Sequence, residues 1–145
     1  METRTIQSLV ELDSFADEII SILPQREGAN VLLLKGDLGA GKTTFTQILA
    51  KKLGVAEHVV SPTFMIMRTY EGHHDLCKKF VHIDAYRIED ISEVEVLRIP
   101  ELFTETGTVV CIEWPERIPE VLPQNALTIS FAIAEGESRT VTYGS

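Results

Sequence analysis

Hydrophobic positions switch between short runs and helical spacing along the first part of the chain. We expect a short first strand over Thr5–Val10. Apolar residues then recur at helical spacing from 15 to 23, with Asp13 or Ser14 as the predicted N-cap and Pro24 just after the last turn. The pattern therefore predicts a strand followed by a helix at the start of the chain.

A continuous apolar run, Val31–Leu34, has the length and composition of a buried strand. After a glycine-rich loop, apolar residues return at helical spacing from 45 to 53, and Gly54 lies where a C-cap glycine is expected. This segment is therefore predicted to be a strand, a loop and a helix in immediate succession.

Further strands are predicted along the rest of the chain. They are Phe64–Tyr70, Phe80–Asp84, Thr108–Glu113, Leu127–Ile133 and Arg139–Tyr143. The polar segment Glu71–Lys79 is predicted to be a loop too short for a crossover helix, so the strands that it joins should pair antiparallel. Glu135–Glu137 should form the turn of a closing β-hairpin.

A capping box over Ser92–Glu95 predicts a short helix that ends before Pro100. Pro115, Pro119 and Pro123 should keep the segment before the closing hairpin irregular or in short turns, because proline lacks a backbone N–H. We therefore expect little regular structure between the strand over 108–113 and the hairpin.

The loop after Val31–Leu34 carries the sequence Gly-x-x-x-x-Gly-Lys-Thr from Gly36 to Thr43, which we call the P-loop. Its glycines allow successive backbone N–H groups to form an anion-binding nest, and the following helix adds its dipole. Lys42 should bridge the β- and γ-phosphates of a nucleoside triphosphate, and the Thr43 hydroxyl should bind Mg²⁺. The residues expected to bind the nucleotide are Asp37, Leu38, Gly39, Ala40, Gly41, Lys42, Thr43 and Thr44.

Two carboxylates follow hydrophobic runs that are predicted to be strands. Glu113 ends the run 109–112, and Asp84 ends the run 80–83. Open α/β sheets bind ligands at the carboxyl ends of their strands, where a P-loop needs a carboxylate for Mg²⁺. Glu113 is the predicted metal ligand because its strand is the more uniformly apolar, and Asp84 is the predicted residue that orients or activates the attacking water. A solvated charge at a strand end is the alternative for one of them.

Three nearby features have more than one interpretation. In Ser61-Pro62-Thr63, the Thr63 hydroxyl could sense Mg²⁺ or the γ-phosphate as a switch loop does, and a simple turn is the alternative. The segment His73–Cys77 contains metal-ligand residue types, but a solvated loop is favoured because no second cluster completes a site. Trp114 fits a cover for the nucleotide, part of a partner surface or ordinary packing.

Composition and charge narrow the class of protein. The 145 residues are 44% hydrophobic and 24% charged, and their formal net charge is −9. Without repeats or linkers, residues 1–145 should form a single domain. We expect no direct binding of nucleic acid, since no basic footprint is visible, and no membrane span, since no apolar run approaches ~18 residues. Two cysteines without CxxC spacing, and an N-terminus unlike a signal peptide, favour the cytoplasm.

Four motifs together resemble those of a known family. They are Gly36–Phe45 (GDLGAGKTTF), Ser61–Phe64 (SPTF), His82–Arg87 (HxDxYR) and Glu113–Glu116 (EWPE). From about Gly28 to the C-terminal hairpin, the chain resembles the bacterial TsaE family, the small P-loop ATPases of tRNA threonylcarbamoyladenosine biosynthesis. The expected fold is α/β, a P-loop NTPase-like three-layer fold with a mixed, mostly parallel central sheet and antiparallel additions.

The resemblance implies an ATPase with ATP and Mg²⁺ as cofactors. It also implies TsaD-like and TsaB-like partner proteins, with tRNA met only indirectly through their complex. By motif, Lys42 matches the phosphate-binding lysine, and Thr43 and Glu113 match the Mg²⁺ ligands. Asp84 matches the catalytic acidic residue, and Thr63 matches the switch-like threonine.

One departure and three alternatives qualify this assignment. The family tends to carry a nucleotide-binding threonine near the start of its first helix, whereas Leu12–Phe15 offers only Ser14 as a weak substitute. A small-molecule kinase is one alternative, but the arginines that its lid would need are scattered along the chain. A GTP-dependent switch would need an Asn-Lys-x-Asp motif, which the sequence lacks. A module that binds ATP without hydrolysing it also stays open.

Overall fold

A mixed sheet with helices on both of its faces forms the centre of the molecule. The structure, a computed structural model, describes residues 1–37, 39–60 and 66–144. The strands are β1 (Glu2–Ile6), β2 (Asn30–Lys35), β3 (Met67–His74), β4 (Cys77–Asp84), β5 (Thr108–Glu113), β6 (Leu127–Ile133) and β7 (Arg139–Gly144). The α-helices are α1 (Leu9–Ile22), α2 (Lys42–Lys52), α3 (Ile91–Val96) and α4 (Ile99–Leu102), and 3₁₀ turns cover Ala85–Arg87, Pro115–Arg117 and Pro119–Val121.

The strand order within the described residues is β1-β7-β6-β2-β5-β4-β3. Strand β2 is parallel to both β5 and β6, and β4 is parallel to β5, whereas the outer pairs are antiparallel. In register, Glu113 lies opposite Leu34 on one side and Asp84 on the other. The carboxyl ends of β2, β4 and β5 therefore lie side by side at one edge of the sheet, where α/β proteins bind ligands.

Strand β2 is buried on both faces and separates two hydrophobic cores. Leu32 and Leu34 pack with residues of α1 and α2, including Phe45. Val31 and Leu33 pack on the opposite face with residues of α3 and α4. A strand covered by helices on both faces is a continuous apolar run, as the sequence of β2 is. The expected three-layer α/β fold, with parallel strands in the centre of its sheet, is confirmed.

Helix α1 begins earlier than the hydrophobic pattern predicts. The Ser8 hydroxyl accepts a hydrogen bond from the backbone N–H of Glu11 (3.2 Å) and is the N-cap of the helix. The strand predicted over Thr5–Val10 is therefore wrong beyond its first two residues, and the cap predicted at Asp13 or Ser14 is also wrong. Two apolar residues at the start of α1 are exposed to solvent, which a hydrophobic pattern cannot reveal.

Strands β3 and β4 form a longer hairpin than the sequence predicts. They pair antiparallel, as expected, but the pairing extends from Met67 opposite Ile83 to His74 opposite Cys77. The loop predicted over Glu71–Lys79 is therefore wrong. Strand β3 is the outermost strand next to β4. Its alternate polar side chains are therefore exposed to solvent and make the strand resemble a loop.

The capping box of α3 begins at Asp90. The Asp90 carboxylate accepts a hydrogen bond from the Ser92 N–H (3.0 Å), and the Glu93 carboxylate accepts one from the Asp90 N–H (3.4 Å). The box predicted over Ser92–Glu95 is therefore displaced by two residues. Helix α3 does end before Pro100, which lies in the first turn of α4, where proline is tolerated.

The observed bounds of the last three strands agree best with the predicted ranges. Strands β5 and β6 span the predicted ranges, and β7 is longer than predicted by one residue. Pro115 and Pro119 begin 3₁₀ turns, which fits the short turns predicted between β5 and β6. Of the helices in the described ranges, none is long and apolar enough to cross a membrane.

Candidate nucleotide-binding site

The P-loop contains glycines whose backbone conformation or close contacts disfavour other residues. Gly36 has a φ of 146°, and a Cβ at this position would come within 2.5 Å of the carbonyl oxygen of Phe131 in β6. Gly41 is the N-cap of α2 and has a φ of 108°, in the left-handed region that favours glycine. A Cβ on Gly39 or Gly41 would meet no described atom within 4 Å. The start of α2 therefore borders open space that an anion can enter.

Lys42, the first residue of α2, is only 4% exposed. Its ammonium group donates a hydrogen bond to the Gly36 carbonyl oxygen (2.5 Å) and lies 3.9 Å from the centroid of the Trp114 ring. Burial lowers the pKa of Lys42, while nearby carboxylates, Glu113 foremost, act in the opposite direction. A buried ammonium group with these partners is well placed to bind an anion at the start of α2.

Glu113 and Thr43 bring two kinds of oxygen ligand together. The Thr43 hydroxyl lies 3.4 Å from both carboxylate oxygens of Glu113, which is 4% exposed at the end of β5. In the described residues, no group of three or more His, Cys, Asp or Glu could hold a metal ion, and this includes His73–Cys77. The pair suits Mg²⁺, which proteins hold through one or two carboxylates together with phosphate and water oxygens.

Asp84 reaches the same edge of the sheet from β4. Its register partner is Glu113. The Asp84 carboxylate accepts a hydrogen bond from the Tyr86 N–H (3.0 Å) and caps the 3₁₀ turn Ala85–Arg87. The residue is half-buried. The carboxylate is therefore anchored by its own backbone turn while part of it stays accessible.

Most of the residues predicted for the site meet at this edge. Two of them, Leu38 and Thr63, lie outside the described residues. Asp37 is exposed, and its carbonyl oxygen accepts a hydrogen bond from the Ala40 N–H (3.1 Å) within the loop. Thr44, together with Lys42 and Thr43, lines a groove that runs along the P-loop. Several of the neighbouring P-loop residues that the sequence predicted therefore line one side of this groove.

His82, the first residue of the HxDxYR motif, is a buried partner of Glu113, a role that the sequence analysis did not assign to it. Its Nε2 lies 2.6 Å from Oε2 of Glu113, and the residue has no exposed surface. The signal that could have found it is strand alternation, because residues two apart on a strand share a face. His82 precedes Asp84 by two positions and so lies on the face of β4 that carries Asp84.

Trp114 and Tyr86 form an aromatic wall beside Lys42. Their ring centroids are 5.1 Å apart, and the Arg117 guanidinium lies 5.2 Å from the centroid of the Tyr86 ring. Trp114 has a φ of 58°, which is costly for a bulky residue. It packs against the core beneath α3 and α4 and also contacts Lys42. Trp114 therefore belongs to the site and is not merely part of the core.

A second cleft continues the groove toward α1. The first part of the groove has a volume of about 300 Å³ and is lined by Gly39, Gly41, Lys42, Thr43, Thr44 and Glu113. The second has a volume of about 360 Å³ and is lined by Ile6, Gln7, Ser8, Leu9, Leu12, Gly39, Gly41, Thr44, Glu137 and Arg139. Three residues line both parts, so they form one elongated groove along the P-loop.

Arg139 and Ser8 line the groove, although the sequence analysis singled out neither. Arg139 of β7 donates a hydrogen bond from Nη2 to the Gly39 carbonyl oxygen (3.2 Å), across 100 positions of sequence. Ser14, which the sequence offered only as a weak substitute for the family's threonine, lines a separate pocket between β1 and α1. Helix α1 begins before Leu12–Phe15, so Ser8 is the hydroxyl residue at the helix start, and it lines the second part of the groove.

The sequence and the fold both match known proteins. A family model described as threonylcarbamoyl adenosine biosynthesis protein TsaE matches residues 6–141. The chain belongs to the TsaE family. The resemblance drawn from the four sequence motifs is therefore confirmed, and the matched residues include every described residue that lines the groove.

Individual TsaE proteins match over most of the chain. The tRNA threonylcarbamoyladenosine biosynthesis protein TsaE of Bacillus subtilis is 44% identical over 114 residues, which are 79% of this chain and 68% of that protein. The TsaE protein of Treponema pallidum is 36% identical over 116 residues, which are 80% of this chain and 82% of that protein. The crystal structure of Bacillus subtilis YdiB superposes with a TM-score of 0.74 and 30% identity, covering 98% of this chain and 83% of that one.

Proposed function

We propose that this TsaE-family chain binds and hydrolyses ATP within the machinery that makes threonylcarbamoyladenosine next to the anticodon of tRNA. Hydrolysis would drive or reset a TsaD–TsaB complex. One observation carries the catalytic part: the Lys42 ammonium, the Thr43 hydroxyl and the Glu113 carboxylate meet at one end of the P-loop groove. The names of the Bacillus subtilis and Treponema pallidum relatives support the part that concerns tRNA modification.

The end of the groove beside Lys42 would hold the phosphates. When ATP binds, the Lys42 ammonium exchanges the Gly36 carbonyl for β- and γ-phosphate oxygens, and backbone N–H groups at the start of α2 donate to the same anion. Thr43 and Glu113 would hold Mg²⁺. When bound there, Mg²⁺ supplies positive charge that offsets the negative charge on the transferred phosphoryl group.

Asp84 is the proposed catalytic residue for the attacking water. A carboxylate has more acceptor sites than the single hydrogen bond from the Tyr86 N–H uses, so it can also accept one from a water molecule. Its register position beside Glu113 supports a location close to the metal ligands. Thr63 stays the proposed nucleotide sensor on the grounds of its sequence motif.

The wider cleft near α1 suits the adenosine part of the nucleotide. Ile6, Leu9 and Leu12 offer apolar contact to a base, and Gln7 and Glu137 offer polar groups that can fix its orientation. We therefore propose that the base binds at the α1 end and the triphosphate at the end nearer to Glu113.

The net charge supports an indirect connection to tRNA. A formal charge of −9 disfavours contact with a phosphate backbone, which binds chiefly through lysine and arginine side chains. We therefore propose that TsaD-like and TsaB-like proteins bind the tRNA in the cytoplasm and that this chain acts on those proteins.

The test is ATP hydrolysis measured with and without TsaD-like and TsaB-like partners, using Lys42→Ala as the blank. We expect slow hydrolysis by the chain alone and a changed rate when the partners are present. If turnover and nucleotide binding are indifferent to the partners, the proposed role in their complex is wrong. Transfer of labelled γ-phosphate to a metabolite instead of water would identify a small-molecule kinase.

A further inference from the structure

The proposed function gives no role to His82 or to its contact with Glu113. Nε2 of His82 lies 2.6 Å from Oε2 of Glu113, and both side chains are almost completely removed from solvent. A carboxylate can only accept a hydrogen bond, so the Nε2–H of His82 is the donor. The second oxygen, Oε1, lies 3.4 Å from the Thr43 hydroxyl.

The surroundings of His82 indicate that this bond is the reason for a histidine at position 82. Among the described residues, no group forms a hydrogen bond with the buried Nδ1 of His82. Leaving a buried polar atom without a partner costs free energy that an apolar side chain of similar size would not incur. Phe80, two positions earlier on the same strand, is such an apolar residue and is also fully buried.

We propose that His82 is a positioning residue that orients the Glu113 carboxylate for Mg²⁺. Its Nε2–H holds Oε2 in place and so presents the carboxylate toward Thr43 and the groove. Hydrogen bonds to a ligating carboxylate fix its direction, and loss of such a partner typically lowers metal affinity about tenfold to a hundredfold. This inference rests on the proposed function, since it assumes a magnesium–nucleotide site.

The test compares the affinity for a non-hydrolysable ATP analogue, AMPPNP, in MgCl₂ with that in EDTA, by isothermal titration calorimetry on the full chain. The ratio of these affinities measures the contribution of the metal without any turnover. His82→Leu should lower the ratio about tenfold and leave the affinity in EDTA unchanged. His82→Gln, whose amide can donate at the reach of Nε2, should keep most of the ratio. His82→Asn is one methylene shorter and should resemble His82→Leu.

Phe80→Leu is the matched control, because it creates a cavity on the same face of β4 without changing a contact of Glu113. It should lower the melting temperature and leave the affinity ratio at the wild-type value. If the folded His82 variants all keep the wild-type ratio, the inference is wrong. If only the glutamine variant folds, His82 supports the core instead of the metal site, and the inference is equally wrong.

Failure of the inference can be told apart from failure of the proposed function. If wild-type protein binds AMPPNP with no difference between MgCl₂ and EDTA, the proposed magnesium–nucleotide site itself is wrong. If the wild type depends on the metal and the His82 variants depend on it equally, only the positioning role is wrong.

Discussion

The ammonium nitrogen of Lys42, a residue that lines the P-loop groove, lies 3.9 Å from the centroid of the Trp114 ring. The negative face of the indole attracts the cation and partly replaces the water that burial removes. The surroundings as a whole still lower the pKa of Lys42, with burial as the main cause. Burial therefore disfavours the charged form of Lys42, and an anionic ligand in the groove would favour that form.

Lys42→Met should weaken nucleotide binding without lowering stability. The pKa of Lys42 is lower in the folded protein than its usual value of 10.5, so at neutral pH folding disfavours its charged form. Removing that charge should leave the melting temperature at pH 7 equal or higher, while calorimetry should show affinity for ATP analogues weakened about tenfold or more. Lys51→Met, at an exposed lysine of α2, should leave the affinity unchanged. A clear loss of stability in Lys42→Met would contradict this account.

The emission of Trp114, the single tryptophan of the chain, should change when nucleotide binds. Phosphate oxygens would draw the Lys42 ammonium away from the indole face and so alter the environment of the ring. A fluorescence titration with AMPPNP and MgCl₂ measures this change. Trp114→Phe keeps an aromatic face and should lose the signal while calorimetric affinity stays within about fivefold of wild type. Unchanged wild-type emission at saturation would show that the contact persists in the complex.

Asp84→Asn should slow ATP hydrolysis while sparing the fold and nucleotide binding. Asparagine caps a helical turn about as well as aspartate, so the bond from the Tyr86 N–H should persist. Loss of general-base assistance should lower kcat about a hundredfold. Glu120→Gln, at an exposed carboxylate beyond the site, is the control and should turn over normally. Wild-type kcat in Asp84→Asn would remove Asp84 from the mechanism.

Arg139→Met should weaken nucleotide binding through the P-loop backbone. The Arg139 guanidinium donates to the Gly39 carbonyl oxygen, and this bond ties β7 to the loop that would hold the phosphates. Its loss should raise the dissociation constant of ADP about threefold to tenfold. The control is Arg68→Met on β3, which lies at the far side of the sheet from β7. This variant should leave binding unchanged. Equal dissociation constants for both variants would show that the loop keeps its conformation without Arg139.

Tyr143→Phe should destabilise the protein at neutral pH and have a smaller effect in acid. The Tyr143 hydroxyl donates a hydrogen bond to the Glu18 carboxylate and is the main reason that the pKa of Glu18 lies below 4.5. A carboxylate with a lowered folded-state pKa stabilises the fold fully above its unfolded-state pKa. That contribution disappears as the pH falls through the folded-state value.

Urea unfolding of Tyr143→Phe between pH 7 and pH 3 tests this dependence. We expect the free energy of unfolding to fall by about 1 kcal/mol at pH 7, with a smaller difference from wild type below pH 4.5. Tyr70→Phe removes the hydroxyl of another buried tyrosine, which lies near the Val60 N–H instead of a carboxylate. Its effect should vary little with pH. The same loss at every pH in Tyr143→Phe would contradict the role of Glu18.

The parts of the site that the sequence predicted are those encoded by neighbouring residues. The P-loop from Gly36 to Thr43 needs left-handed backbone and close approach at its glycines, and both requirements are visible in a few adjacent letters. Asp84 and Glu113 were recognisable because each ends an apolar run. The start of α1 was misjudged because its first apolar residues are exposed, and exposure depends on what the rest of the chain leaves uncovered.

By itself, the sequence determined the strand–loop–helix unit and the pair of acidic strand ends, since glycine conformation and hydrophobic runs act over a few residues. Only the tertiary structure decided that β2 lies between β5 and β6, and therefore that Glu113 meets Thr43 and His82. It also brought Arg139 to Gly39 and the Trp114 ring to Lys42. These contacts join distant positions through strand order, register and burial, which no local pattern of residues specifies.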